Sequence, residues 1–109
     1  MTFDEYQKAA LLTARGKDAR NELFHLVLGL AGEAGEITEK FKKLIRDKDS
    51  DERMIDKQDM SKELGDVLWY VATLADYLDL SLHTIAQENI AKLADRKKRD
   101  LIKGSGDNR

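Results

Sequence analysis

Apolar residues recur along most of the chain at steps of three and four, the period of a helix that buries one face. This spacing predicts four helices. The first runs from about Thr2 to Arg15: Thr2-x-x-Glu5 has the form of a capping box, Gly16 is a natural stop, and Phe3, Tyr6, Ala10 and Leu11 form the stripe. The second is long, from about Ala19 to Ile45, with Leu23, Leu26, Val27, Leu30, Ala34, Ile37, Phe41 and Leu44 on its inner face. A polar stretch over 47–58 reads as a loop, with a short turn around Arg53-Met54-Ile55. The third helix spans about Asp59 to Tyr77. Leu64, Val67, Leu68, Val71, Leu74, Ala75 and Leu78 share one face, while Trp69, Tyr70 and Tyr77 point elsewhere. A helix that is apolar in several directions has to be covered from several directions. One small bundle struggles to do that, so a homo-oligomer is expected. Ser81 caps a fourth helix reaching about Arg99, with Leu82, Ile85, Ala86, Ile90 and Leu93 inward.

Composition supports this reading. The chain has no proline, the residue most hostile to a helix interior, and strand-like alternation is hard to find. The expected fold is all-α, a four-helix domain over residues 1–100, followed by a disordered tail over 101–109. At 109 residues there is length for one domain and not two.

Charge and cysteine content narrow the function. The 19 basic and 21 acidic residues interleave, giving a formal net charge of −2 and no basic stripe for a nucleic-acid polymer. Without cysteine, disulfides, thiolate catalysis and cysteine-ligated zinc are excluded, and a reducing compartment is permitted. No apolar run approaches the roughly 18 residues of a membrane span. Met1-Thr2-Phe3-Asp4-Glu5 does not resemble a secretory signal. A soluble, cytoplasmic protein is expected, with no membrane partner.

The informative residues are acids. Glu33 and Glu36 lie on helix 2, Glu63 and Asp66 on helix 3, and each pair is spaced i, i+3 so that both side chains share a face. Both pairs adjoin the apolar stripes. Any one such pair is ordinarily a solvated face, with Lys40, Lys42, Lys43 and Lys62 as available partners. Two pairs meeting across packed helices would be strongly unfavourable, because desolvation and repulsion both oppose ionisation. A hard divalent cation resolves the conflict, and an all-oxygen donor set suits Mg²⁺, with Mn²⁺ as a substitute, over zinc. Gly29, Gly32, Gly35 and Gly65 sit in the same helical stretches. They serve either close helix packing or clearance for a ligand.

Gly32-Glu33-Ala34-Gly35-Glu36-Ile37, followed by Lys62-Glu63-Leu64-Gly65-Asp66-Val67-Leu68-Trp69-Tyr70, resembles the MazG-like nucleoside triphosphate pyrophosphohydrolases. That family's pattern is ExxE, a variable spacer, then ExxD, and 26 residues (37 through 62) separate the halves here. Asn89-Ile90-Ala91-Lys92-Leu93-x-x-Arg96 resembles its closing segment. The resemblance implies an all-α bundle assembled as a dimer or dimer of dimers. It implies hydrolysis of nucleoside triphosphates between the α- and β-phosphates, with Glu33, Glu36, Glu63 and Asp66 as metal-binding, catalytic positions. Asn89, Lys92 and Arg96, at i, i+3 and i+7 on helix 4, would then contact the phosphates rather than form an ordinary solvated face. Tyr70, one turn after Asp66, and His25, two turns before Glu33, are candidate contacts for the base. Either could instead be a packing residue, and Trp69 is assigned to packing. Glu22-x-x-His25 is half of a di-iron motif whose second half is missing. The rival functions are a non-catalytic helical interaction module and a nucleotide sensor that keeps the fold. Saturable stabilisation by Mg²⁺ separates a carboxylate site from the first of these.

Overall fold

The computed structural model describes residues 1–100 of the 109. The expected tail over 101–109 lies outside the described residues. The described residues form four helices, α1 (Phe3–Leu11), α2 (Glu22–Lys48), α3 (Lys57–Tyr77) and α4 (Leu82–Asp100), with one 3-10 turn, Glu52–Met54, between α2 and α3. No strand occurs among the described residues.

The helix starts follow local chemistry. Thr2 forms the expected capping box with Glu5: the Glu5 N–H donates to Thr2 Oγ1 (3.1 Å), and the Thr2 N–H donates to Glu5 Oε1 (2.8 Å). Asp56 caps α3 by accepting from the Asp59 N–H, which starts that helix at Lys57 rather than Asp59. Ser81 accepts from the Thr84 N–H and donates to Asp4 Oδ1 of α1, so one hydroxyl caps α4 and ties it to α1. The helix ends differ more from expectation. α1 stops at Leu11, four residues short of Arg15. Thr13 turns its hydroxyl back onto the Ala10 carbonyl (3.0 Å) and accepts from Trp69 Nε1 (2.8 Å), so tertiary contact takes the residues that would have formed another turn. Gly16 then takes φ +97°, where a side chain would be strained. α2 begins at Glu22, after Asn21 in the left-handed region, and runs on to Lys48. Asp49 and Ser50, both at positive φ, close it with amides directed at the Leu44 carbonyl.

α3 is the centre of the fold. It packs on α2, α1 and α4, whereas α2 has no packing contact with α1 or α4. On one side, Ala72 (0% exposed) lets α1 and α4 approach closely, and Ala10, Ala72 and Leu82 form a core flanked by Tyr6, Trp69 and Val71. Gln7, itself buried, donates Nε2 to the carbonyls of Ala72 (3.1 Å) and Leu80 (3.0 Å) and accepts from the Leu82 N–H (3.1 Å). The other side, α2 on α3, is far less closed. Leu26 and Leu44 are buried, but Val27, Phe41 and Leu64, expected inward, are exposed, and Phe24, Leu28 and Ile45 face solvent with them. Leu78, Ile90 and Leu93 are exposed too, so the inner stripe of α4 is covered only near its start. The Cα radius of gyration is 17.3 Å, against about 13 Å for a compact domain of ~100 residues. The helices are splayed, and large apolar surface stays uncovered within one chain.

Candidate active site

α2 and α3 pack along their lengths and bring their acids together. Glu33, Glu36 and Glu63 each offer a carboxylate oxygen, and these oxygens lie within 4.8 Å of one another. Glu33 and Glu63 are partly buried, and Glu36 is exposed. Two of the oxygens, Glu33 Oε2 and Glu63 Oε2, are buried without a hydrogen-bond partner. Such atoms are costly in a low-dielectric setting unless something outside the chain satisfies them. Burial raises the carboxyl of Glu33 above its ordinary value, and the charges of Glu36, Asp66 and Glu63 raise it further. Asp66 is not one of the three converging residues, but its charge is felt by Glu33 and by Tyr6 of α1, whose hydroxyl is raised first by burial and then by Asp66. Three expected site acids therefore converge, and the fourth stands at their margin.

The donor set fits a hard cation: it is entirely oxygen, partly desolvated, and supplies unpartnered lone pairs. One cation is already built in. Lys40, one turn after Glu36, donates Nζ to Glu63 Oε1 (3.0 Å) and also to Asp59, which precedes Glu63 by one turn. Lys40 thus does act as a partner to an acidic pair, as the solvated-face reading allowed, but it does so across the helix interface. Asp59 was not singled out from sequence, although its spacing of four from Glu63 is the signal that places it on the same face. Lys40 and Asp59 also line a cavity of about 240 Å³ between the end of α2, the 3-10 turn and the start of α3, floored by Phe41, Leu44, Met54, Ile55 and Met60. The ammonium stands between that cavity and the carboxylates.

Beyond the acids, Tyr70 lies against α2 at Gly29, where an added Cβ would fall 2.2 Å from a ring carbon. Gly29 is thus a packing glycine, whereas Gly32, Gly35 and Gly65 have nothing within 4 Å of an added Cβ. Tyr70 meets His25 edge-on (6.2 Å) and Trp69 edge-on (5.0 Å). His25 is held in turn by Glu22, whose Oε1 lies 2.9 Å from Nδ1. Burial would raise the carboxyl of Glu22, but hydrogen bonds from Arg15 and His25 outweigh it and hold the group below its ordinary value. An ionised carboxylate only accepts, so the His25 Nδ1–H is the donor in this pair. Glu22 is therefore spent on Arg15 and His25 and does not join the acid cluster. The α4 stripe is a different case. Asn89, Lys92 and Arg96 sit on a helix that has no packing contact with α2, so a single chain does not pack them against the helix bearing Glu33 and Glu36.

The sequence model of the MazG nucleotide pyrophosphohydrolase domain matches residues 22–100. The chain belongs to this family. The match starts at the first residue of α2 and ends at the last of α4, leaving α1 outside it. The chain is also similar to the gene 37 protein of Mycobacterium phage L5, with 48% identity over an alignment of 114 positions that covers all of both chains. No solved structure matches it. MazG membership indicates nucleotide pyrophosphohydrolase chemistry, with the convergent acids as candidate holders of a divalent metal. Among the described residues no helix is long and apolar enough to cross a membrane.

Proposed function

We propose that this MazG domain is a Mg²⁺-dependent enzyme that hydrolyses nucleoside or deoxynucleoside triphosphates at the α–β bond, releasing nucleoside monophosphate and pyrophosphate in control of the cytoplasmic nucleotide pool. The observation that carries the reading is the convergence of Glu33, Glu36 and Glu63 with two buried oxygens lacking partners. Glu33, Glu36, Glu63 and Asp66 hold the metal, and Mn²⁺ can substitute. Bound there, Mg²⁺ would screen the polyphosphate charge and lower the pKa of an attacking water. A carboxylate not fully committed to the cation accepts the proton of that water.

Tyr70 and His25 form the wall toward the nucleoside, with the His25 ring held by Glu22. Asn89, Lys92 and Arg96 contact the phosphates, with cationic side chains balancing the charge of departing pyrophosphate. Within one chain α4 packs on α3, the helix that bears Glu63 and Asp66, rather than on α2. A homo-oligomer, dimer or tetramer, also covers Phe24, Leu28, Ile45 and Leu64, which are 56–70% exposed.

The test is a panel of common and modified nucleoside and deoxynucleoside triphosphates with Mg²⁺ in ¹⁸O-labelled water. Monophosphate carrying the label, with unlabelled pyrophosphate, is expected. Label in pyrophosphate would place attack at the β-phosphorus, early orthophosphate would place it at the γ, and either would overturn the reading. Sedimentation showing a stable monomer at micromolar concentration would remove the oligomer.

A further inference from the structure

We propose that Lys40 is a positioning residue that confines Glu63 to one-oxygen ligation and thereby makes the carboxylate cluster prefer Mg²⁺ to Ca²⁺. The inference rests on the metal-dependent reading above. Lys40 Nζ is committed to Glu63 Oε1 at 3.0 Å and is gripped from the same side by Asp59. Glu63 Oε2, the other oxygen of that carboxylate, is buried with no partner. The two oxygens of one side chain are therefore in different states. One is engaged by an ammonium, and the other is available.

That asymmetry bears on which cation fits. Ca²⁺ takes six to eight oxygens at about 2.3–2.6 Å and readily accepts both oxygens of one carboxylate. Mg²⁺ requires near-octahedral geometry at about 2.0–2.1 Å, which the narrow bite of a single carboxylate does not serve. With Lys40 on Oε1, bidentate ligation by Glu63 sets the cation against the oxygen that accepts the charge-assisted hydrogen bond and weakens that bond, whereas ligation through Oε2 leaves it intact. The ammonium also repels any divalent cation, but that effect is common to Mg²⁺ and Ca²⁺ at equal charge. Positioning acts on the ratio of the two affinities, and charge alone acts on both together.

The experiment is calorimetric titration of the full chain with MgCl₂ and, separately, CaCl₂, without nucleotide, for wild type, Lys40→Met, Lys40→Gln and Lys40→Arg. Helical content is followed by circular dichroism. Lys40→Met is expected to lower the Mg²⁺-to-Ca²⁺ affinity ratio about tenfold, the equivalent of one ligand bond of ~1.4 kcal/mol. Lys40→Gln, uncharged and one bond shorter, is expected to do the same and serves if the methionine variant fails to fold. Lys40→Arg keeps charge and donors and should hold the ratio near wild type. Equal tightening of both metals in the neutral variants would show that Lys40 acts only by its charge, and would overturn the proposal while leaving the metal site standing. A wild-type chain that binds neither metal saturably would overturn the metal reading and this inference together.

Discussion

The two sides of α3 are finished to different degrees. Toward α1 and the start of α4, polar groups find partners inside the chain: Gln7 bonds two carbonyls and an amide, and Ser81 bonds both its own helix and α1. Toward α2, buried carboxylate oxygens lack partners, and Phe24, Leu28 and Leu64 are left in water. The contrast separates two kinds of sequence information within one helix. Ala72 is buried in the core with Ala10 and Leu82, whereas Glu63 keeps one buried oxygen without a partner and Leu64 is exposed. In this reading the second side is completed by metal, nucleotide and another subunit.

The strongest way to break that contrast is to remove an acid. Glu36→Gln is expected to reduce turnover on the order of 10³-fold, several kcal/mol of lost transition-state stabilisation, with helical content unchanged. Wild-type turnover in this variant would remove Glu36 from the site. The opposite experiment falls on the finished side. Gln7→Ala removes three hydrogen bonds, to the Ala72 and Leu80 carbonyls and from the Leu82 amide, at a cost of roughly 2–3 kcal/mol in unfolding free energy. Turnover per folded molecule should persist, and a parallel loss of kcat in the folded fraction would show that the two sides are not separable.

Much of this was legible in the sequence because helix periodicity and capping are local. Thr2, Glu5 and Ser81 announced their caps, and the ExxE and ExxD spacings placed acids on facing sides of α2 and α3. What was not legible depended on distant partners. The shortened end of α1 comes from Thr13 meeting Trp69, 56 positions away. The clamp of Lys40 on Asp59 and Glu63 needs the register of α2 against α3, which no single-helix pattern contains. Asp66 stands outside the converging three for the same reason. The α4 stripe was sound as a periodic pattern, but periodicity could not say which helix α4 packs on.

The glycines sharpen the comparison at smaller amplitude. Gly29→Ala gains about 1 kcal/mol of helix propensity but drives Cβ into the Tyr70 ring, so a net loss of ~1–2 kcal/mol is expected by chemical denaturation. Gly35→Ala meets nothing within the chain, so the propensity gain should survive in a monomeric sample. Equal effects at the two positions would mean that Tyr70 does not pack on α2.

The smallest effect is one of pH, and its sign is diagnostic. In the metal-free protein, burial and then the charges of Glu36, Asp66 and Glu63 hold the carboxyl of Glu33 above its ordinary value of 4.5. Between 4.5 and the raised value the folded chain binds more protons at this group than the unfolded chain does. Stability contributed by Glu33 is thus fully present below that window and is lost as pH rises through it; the resulting penalty persists at neutral pH. Glu33→Gln removes the titrating group. With chelator present, the variant should melt above wild type at pH 7, and the gap should close as pH falls to about 4. Glu63→Gln is not expected to show the same gain, because Glu63 is paired with Lys40 and its loss leaves that ammonium with Asp59 alone. Saturating Mg²⁺ should reverse the order at pH 7, since the cation binds the ionised carboxylate and stabilises only the chain that offers it. Melting curves of both proteins from pH 4 to 8, with and without Mg²⁺, test each step. A variant that melts below wild type at pH 7 with chelator present, by a deficit that closes toward acid, would mean that Glu33 is ion-paired rather than crowded.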